Sequence, residues 1–200
     1  MQINENIRSM QPSPTLEVTA LAARLKAQGH DVVPFAAGQP DFATPSHIAR
    51  AATEAIAAGY TGYTASAGLP ELRQCVARHY SQRLGLDLEE SNVAITVGAK
   101  NALGLFLTVI LEPGDEVLLQ APYWVSYPTM VQMARGVPRI IETDREGGFL
   151  LEPEKLRRAI TERTRVLVLN SPSNPTGAVY DAKQMEALVQ VAADADLTIL

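Results

Sequence analysis

A short turn built around one glycine joins two apolar stretches at residues 96–101. Its sequence, Thr-Val-Gly-Ala-Lys-Asn, follows a β-branched stretch and leads into a helical one. The first N–H groups of a helix have no intrahelical acceptor and lie at the positive end of the helix dipole. Gly98, Ala99 and Lys100 could therefore hold a phosphate, although an ordinary strand-to-helix turn would use the same residues.

The only tryptophan of the chain, Trp124, lies in a segment rich in aromatic residues and proline. This segment, residues 122–128, comes directly after an apolar stretch that is typical of a strand. A flat indole at that place could stack on a planar heterocycle. It could equally be an aromatic of the core or of an interface.

An asparagine in a rigid loop is a third candidate. Residues 170–177, Asn-Ser-Pro-Ser-Asn-Pro-Thr-Gly, follow another apolar stretch. The two prolines and Gly177 restrict the backbone, and a structural turn would explain them. Such a turn gives no particular reason for Asn174, so we interpret its amide as directed at a ligand.

Two weaker candidates lie nearer the amino terminus. Gly38, in the sequence Gly-Gln-Pro-Asp-Phe, has no Cβ, as close approach of a backbone to a ligand requires. Tyr63 precedes residues 68–73, whose glycine and proline are explained by the start of a helix. The Tyr63 hydroxyl could serve a phosphate.

Alternating strands and helices would position these segments. Three helices are predicted in the first part of the chain. The first runs from Ser13-Pro14 to Gly29, the second follows a turn-rich stretch at residues 38–45 and ends at about Gly59, and the third covers residues 69–84. Strands are predicted at 93–97, 116–120, 138–142, 165–170 and 197–200, with helices between them at 100–111, 127–135, 153–160 and 181–193. This pattern is typical of an α/β domain on a largely parallel sheet, with strands buried on both faces. Ligands bind at the carboxyl ends of such strands, where Gly98, Trp124 and Asn174 lie.

The composition argues against several classes of protein. The chain has 200 residues, of which 46% are hydrophobic and 20% charged, and its net charge is -5. It has no basic block, so we expect no nucleic-acid binding, and its apolar stretches are far shorter than a membrane span. The start of the chain has no signal-peptide pattern. The single cysteine, Cys75, cannot form an internal disulfide, which favours the cytoplasm, and no metal site is predicted.

The sequence ends at residues 197–200, inside an apolar strand pattern with no polar tail. Natural termini usually lie at a solvated surface. We therefore expect the sequence to be the first part of a longer protein.

Taken together and in this order, the segments resemble the class I aminotransferases of fold type I. The resemblance is to the bacterial aspartate and prephenate aminotransferase branch, and it runs from about residue 9 to residue 200. Its most specific parts are residues 63–73, 122–128 and 170–177. It implies that residues 1–44 form an N-terminal arm and a segment of the small domain. Residues 45–200 would form the first part of the large domain, with an incomplete, mostly parallel sheet.

The resemblance also implies pyridoxal 5'-phosphate as the cofactor and a role for each matched residue. Gly98, Ala99 and Lys100 match the loop whose backbone holds the cofactor phosphate. Trp124 matches the ring that stacks on the pyridine. Asn174 matches the side chain that bonds the phenolic oxygen near the substrate carboxylate.

Further matches concern the substrate and a second subunit. Gly38 matches the backbone group near the substrate α-carboxylate. Tyr63 matches a tyrosine that reaches the phosphate of the neighbouring subunit, which implies a homodimer with shared sites. Lys100 neutralises the cofactor phosphate, extends its ammonium group to solvent, or meets the distal carboxylate of a dicarboxylic substrate. Trp124 and Asn174 are also expected to contact the substrate.

The family's catalytic residues have no match within these residues. The Schiff-base lysine, the aspartate that pairs with the pyridine nitrogen and the arginine that grips the α-carboxylate are expected beyond Leu200. Lys100 is not the Schiff-base lysine, since it lies at the phosphate-loop position. We therefore expect the chemistry to belong to the longer protein and the 200-residue chain alone to be inactive.

The implied activity transfers an amino group between an amino acid, aspartate or another acidic one, and a 2-oxo acid. A pyridoxal-phosphate-dependent lyase on the same fold is one alternative, because function depends on the site rather than on the fold. Another is a non-catalytic, aminotransferase-like effector-binding domain of a regulator. Such domains usually follow a basic DNA-binding segment, which residues 1–11 do not show. A nucleotide-binding domain ranks last, because neither glycine-rich nucleotide-binding pattern occurs.

Overall fold

The computed structural model describes residues 4–8, 10, 14–35, 38 and 40–200. Its strands are β1 (Glu116–Ala121), β2 (Val137–Glu142), β3 (Thr164–Val168) and β4 (Thr198–Ile199). Its helices are α1 (Glu5–Arg8), α2 (Pro14–Ala27), α3 (Ser46–Ala57), α4 (Pro70–Leu84), α5 (Ala99–Ile110), α6 (Ser126–Met133), α7 (Pro153–Ala159) and α8 (Ala182–Asp194). A 3-10 turn at Glu90–Asn92 lies between α4 and α5.

The strands form one parallel sheet in the order β2, β1, β3, β4. Val117 of β1 lies opposite Pro138 of β2 on one side and opposite Val166 of β3 on the other. The predicted α/β fold with a parallel sheet is confirmed. Because the strands run in one direction, their carboxyl ends lie at one edge of the sheet.

Apolar residues on both faces of β1 account for the core. Val117 and Leu119 pack on one face, in a cluster that also contains Leu107 of α5 and Val131 of α6. Leu118 packs on the other face, in a cluster with members from α7 and α8. Helices thus cover both faces, and each fully buried leucine contributes about 1.5–3 kcal/mol of transfer free energy.

The prediction that the strands are buried on both faces is correct for β1 and β3 and wrong for β2 and β4. These two strands lie at the edges of the sheet that the described residues form. Ile140 of β2 and Ile199 of β4 are each 39% exposed. An edge strand has a neighbour on one side only, so its side chains are covered less completely.

Local signals account for the helix boundaries. Asp181 caps α8, since its carboxylate accepts from Gln184 N at 2.8 Å while Gln184 Oε1 accepts from Asp181 N at 2.9 Å. At the end of α4, Gly85 adopts a φ of 67°, which glycine tolerates best. The predicted cap of α2 at Ser13 lies outside the described residues.

The strand predicted at residues 93–97 is wrong. This segment has no ladder partner among the described residues, and Ile95 N instead donates to Ala67 O at 2.9 Å. A ladder needs a neighbouring strand, which the described part of the chain does not supply here. Gly68 allows the close approach, because a Cβ at this position would lie 2.6 Å from Cγ1 of Ile95.

The chain divides into two compact units. One comprises the residues up to 36 together with Leu103–Leu200 and contains the sheet. The other comprises residues 37–102, in which Arg73 joins α4 to the following loop by donating to Glu90 O at 2.7 Å and Val93 O at 2.8 Å. The domain boundary expected at residue 44 stays a prediction.

Candidate functional site

Two loops meet at the carboxyl edge of the sheet. Residues 122–125 follow β1, residues 169–177 follow β3, and these two strands are adjacent. A shallow hollow between the loops is lined by Pro122, Tyr123, Tyr127, Asn170, Ser173 and Asn174. The segments that contain Trp124 and Asn174 are therefore neighbours in space, although about fifty residues separate them in the sequence.

Trp124 is half-buried and packs against the core cluster around Leu107. Its indole meets the ring of Tyr127 edge to face, with centroids 5.4 Å apart and an interplanar angle of 88°. Burial raises the pKa of the Tyr127 hydroxyl above its ordinary value. The arrangement holds the indole against the core and leaves part of it exposed, where it could contact a ligand.

Hydrogen bonds within the loop after β3 fix its shape. Ser173 N donates to Ala178 O at 2.9 Å, and Gly177 N donates to Ser173 O at 2.8 Å. Gly177 has a φ of 73°, in the region that favours glycine. The peptide bonds that precede Pro172 and Pro175 are cis.

The amide of Asn174 is exposed, and it makes no hydrogen bond with any described residue. A carboxamide offers two N–H donors and one acceptor oxygen. The rigid loop therefore presents both kinds of hydrogen-bonding group next to the hollow.

Gly98, Ala99 and Lys100 form the start of α5, as predicted, within the unit of residues 37–102. Gly98 has a φ of 80°, and a Cβ at this position would meet no atom within 4 Å. Its carbonyl accepts from Asn101 N at 3.2 Å and from Thr96 Oγ1 at 3.1 Å. The backbone at Gly98 is thus held in place yet open to a close approach.

Gly38 and Tyr63 are also exposed residues of the 37–102 unit. A Cβ on Gly38 would meet no atom within 4 Å, and the Tyr63 ring is fully exposed. These positions leave both residues accessible. Their roles toward substrate and phosphate stay predictions.

The family model for class I and II aminotransferases matches residues 30–200. The chain belongs to this family. It is 46% identical to the aspartate/prephenate aminotransferase of Thermus thermophilus over 198 residues, which is 99% of this chain and 51% of the relative. It is also 46% identical to the aspartate aminotransferase of Geobacillus stearothermophilus, over 96% of this chain and 49% of the relative. The chain spans about half the length of the curated relatives that it matches.

Solved structures of aminotransferases have the same fold as this chain. The aspartate aminotransferase of Thermus thermophilus with maleate superimposes with a TM-score of 0.94 and 46% identity, over the whole of this chain and 52% of that one. The alanine aminotransferase of Pyrococcus furiosus superimposes with a TM-score of 0.91 and 30% identity, over 99% of this chain and 51% of that one. The predicted fold type I architecture is confirmed.

A buried polar network behind the site was not predicted from the sequence. Tyr180 Oη donates to Gln120 Oε1 and accepts from Leu151 N at 2.8 Å, while Gln120 Nε2 donates to Phe149 O. The network joins the end of β1 to the segment that follows the Asn174 loop. Its signal in the sequence was a glutamine directly after the apolar middle of a strand.

The described residues contain no cluster of histidine, cysteine, aspartate and glutamate suited to a metal ion. None of the helices in the described ranges is long and apolar enough to cross a membrane.

Proposed function

We propose that this chain is the amino-terminal half of a pyridoxal-phosphate-dependent aminotransferase. The enzyme would transfer an amino group between an acidic amino acid and a 2-oxo acid. The observation that carries the proposal is that the loop with Trp124 and the loop with the exposed amide of Asn174 meet at one hollow at the carboxyl edge of the sheet. The 46% identity to relatives named as aspartate aminotransferases supports it.

The residues present fit the cofactor. The start of α5, with its open backbone at Gly98, suits a phosphate dianion. The partly exposed indole of Trp124 suits a flat heterocycle, and the Asn174 amide suits a phenolic oxygen that accepts a hydrogen bond. When bound, pyridoxal 5'-phosphate supplies the electron sink that amino-group transfer needs.

Each of the site residues would then have a defined role in binding the cofactor. The backbone of the loop at Gly98, Ala99 and Lys100 would hold the phosphate at the positive end of the α5 dipole. The Trp124 ring orients the heterocycle and excludes water from one of its faces. The Asn174 amide donates a hydrogen bond to the phenolic oxygen, and this bond favours the ionised state of that oxygen. The catalytic lysine belongs to the part of the enzyme outside these residues.

An acidic substrate is the finer part of the proposal. The Thermus thermophilus relative was solved with maleate, which is a dicarboxylate. The Pyrococcus furiosus relative, with the same fold, is named as an alanine aminotransferase, so the fold does not select the substrate. We assign the selection of a distal carboxylate to the ammonium group of Lys100.

The remaining assignments concern the assembly and the compartment. Gly38 would approach the substrate α-carboxylate through its backbone, and Tyr63 would reach the phosphate of a second subunit, which makes the enzyme a homodimer. A compartment that keeps thiols reduced suits the single exposed cysteine, Cys75, and we propose the cytoplasm.

The test uses the complete protein, purified with pyridoxal 5'-phosphate. Aspartate and a 2-oxo acid should yield oxaloacetate and the new amino acid in equal amounts, without release of ammonia. With cysteine as the substrate, release of hydrogen sulfide, ammonia and pyruvate would instead identify a carbon–sulfur lyase. A protein that binds the cofactor and transforms no amino acid would contradict the proposal.

A further inference from the structure

The side chain of Asn170 holds the backbone that carries Asn174. In the amide orientation that satisfies its neighbours, its Nδ2 donates to Pro172 O at 3.2 Å, and its Oδ1 accepts from Asn174 N at 3.1 Å. One carboxamide is therefore hydrogen-bonded to the backbone on both sides of Ser173. Asn170 lies just after β3 and is half-buried at the rim of the hollow.

The other bonds of this loop do not hold Asn174. Ser173 is bonded to Ala178 and Gly177, which fixes the far side of the turn. Pro172 and Pro175 have no N–H and cannot add a donor. Within the described part of the chain, the Asn170 amide is thus the partner of the Asn174 backbone N–H.

We infer that Asn170 is a positioning residue, which sets the direction of the Asn174 amide toward the cofactor. The inference rests on the proposed function, in which Asn174 bonds the phenolic oxygen. The contact requires a donor and an acceptor on one short side chain, and asparagine supplies both. An aspartate would keep the acceptor but place a negative charge against the carbonyl of Pro172.

A direct contact between Asn170 and the cofactor would also make this residue important, because Asn170 lines the hollow itself. The two explanations predict different results when Asn170 and Asn174 are substituted together. If Asn170 acts through Asn174, removing it has no further effect once the Asn174 amide is absent. If it contacts the cofactor, the two effects add.

The experiment uses four variants of the complete protein: Asn170→Ala, Asn170→Asp, Asn174→Ala and the double alanine variant. Two readouts apply, namely the Kd for pyridoxal 5'-phosphate by equilibrium dialysis of the apoprotein and the pH midpoint of the bound cofactor's visible absorbance. The thermal midpoint of each apoprotein reports folding. Gln184→Ala is the matched control, since it loses a side-chain-to-backbone bond at the start of α8, away from the hollow.

We expect Asn174→Ala to raise the absorbance midpoint and to weaken cofactor binding roughly tenfold. Asn170→Ala and Asn170→Asp should shift the midpoint in the same direction by at least half as much. The double variant should match Asn174→Ala. Gln184→Ala should keep the wild-type midpoint and Kd.

An unchanged midpoint in Asn170→Ala, beside a shifted one in Asn174→Ala, would overturn the inference and leave the proposed function standing. Additive shifts in the double variant would also overturn it, in favour of a direct contact. If Asn174→Ala itself behaves as wild type in a protein that binds the cofactor, the proposed role of Asn174 fails first, and the inference fails with it.

Discussion

At the scale of single residues, Trp124 offers the most direct test of the cofactor site. Trp124→Ala removes the surface that would stack on the pyridine and the edge-to-face contact with Tyr127. We expect the free energy of cofactor binding to fall by about 1–3 kcal/mol, the scale of a ring contact plus its buried area. Equilibrium dialysis measures the change.

Trp124→Phe is the matched variant, because it keeps an aromatic face at the same place. It should retain most of the affinity for the cofactor. Equal affinity in the wild type and in Trp124→Ala would mean that the indole serves only the core cluster against which it packs.

Lys100 tests the choice of substrate. It lies in the first turn of α5, where a cation is unfavourable beside the positive end of the helix dipole unless an anion is near. Lys100 is exposed in the described residues, and in the proposed enzyme the bound substrate would bury its charge pair. Breaking a buried charge pair typically costs about 2–5 kcal/mol. Lys100→Ala should therefore lower kcat/KM for aspartate by roughly 30-fold or more, and much less for uncharged amino acids.

Lys183 is a suitable control for this comparison. It is the second residue of α8, as Lys100 is of α5, and its side chain is exposed. Lys183→Ala should leave both kinds of substrate unaffected. An equal loss for acidic and uncharged substrates in Lys100→Ala would assign Lys100 to the cofactor phosphate.

At the scale of secondary-structure elements, the bond between Tyr180 and Gln120 joins the segment before α8 to the end of β1. Burial raises the pKa of Tyr180 above the ordinary value of 10.0. The unfolded chain therefore loses this proton at a lower pH than the folded chain. The stability that Tyr180 contributes is complete below about pH 10 and is lost as the pH rises through its folded pKa.

Tyr180→Phe should lower the free energy of unfolding by about 1–3 kcal/mol near pH 8, because Gln120 and Leu151 N each lose a partner. The difference in the free energy of unfolding between Tyr180→Phe and the wild type should become smaller above pH 10. Urea unfolding of the apoprotein at several pH values measures both effects. Tyr60 is 80% exposed, so Tyr60→Phe is the control. If Tyr60→Phe shows the same change of its unfolding free energy relative to the wild type with pH, the assignment to Tyr180 is refuted.

At the scale of the whole molecule, several large apolar side chains remain exposed in the described residues. Val97 is 92% exposed, Val109 83% and Phe42 88%. Exposed apolar surface of this extent indicates contact with other parts of a protein or with other chains. We expect the 200-residue chain on its own to be poorly soluble and to bind a hydrophobic dye strongly.

The complete protein should bind much less dye per residue, because its remaining part and a second subunit would cover this surface. Dye fluorescence at equal molar concentration compares the two proteins directly. A soluble, monomeric 200-residue chain that binds no more dye than the complete protein would contradict the proposed assembly.

The sequence alone determined the features that depend on neighbours along the chain. The capping box at Asp181 and the left-handed Gly85 set helix ends through local hydrogen bonds and backbone sterics. The apolar stretches of β1 and β3 predicted buried parallel strands, since their pattern reports burial on both faces. The rigid loop after β3 singled out Asn174, because prolines and glycine act on the backbone locally.

Only the tertiary structure decided the features that depend on distant partners. Residues 93–97 have a strand pattern, but a ladder requires a neighbouring strand, which no local signal provides. Gln120 and Tyr180 are sixty positions apart, and their bond exists because the fold brings them together. The sequence pattern at Asn170 is explained by a turn alone, and only the folded loop places its amide between Pro172 and Asn174. Such contacts depend on the three-dimensional path of the chain, which residue types and spacing do not specify.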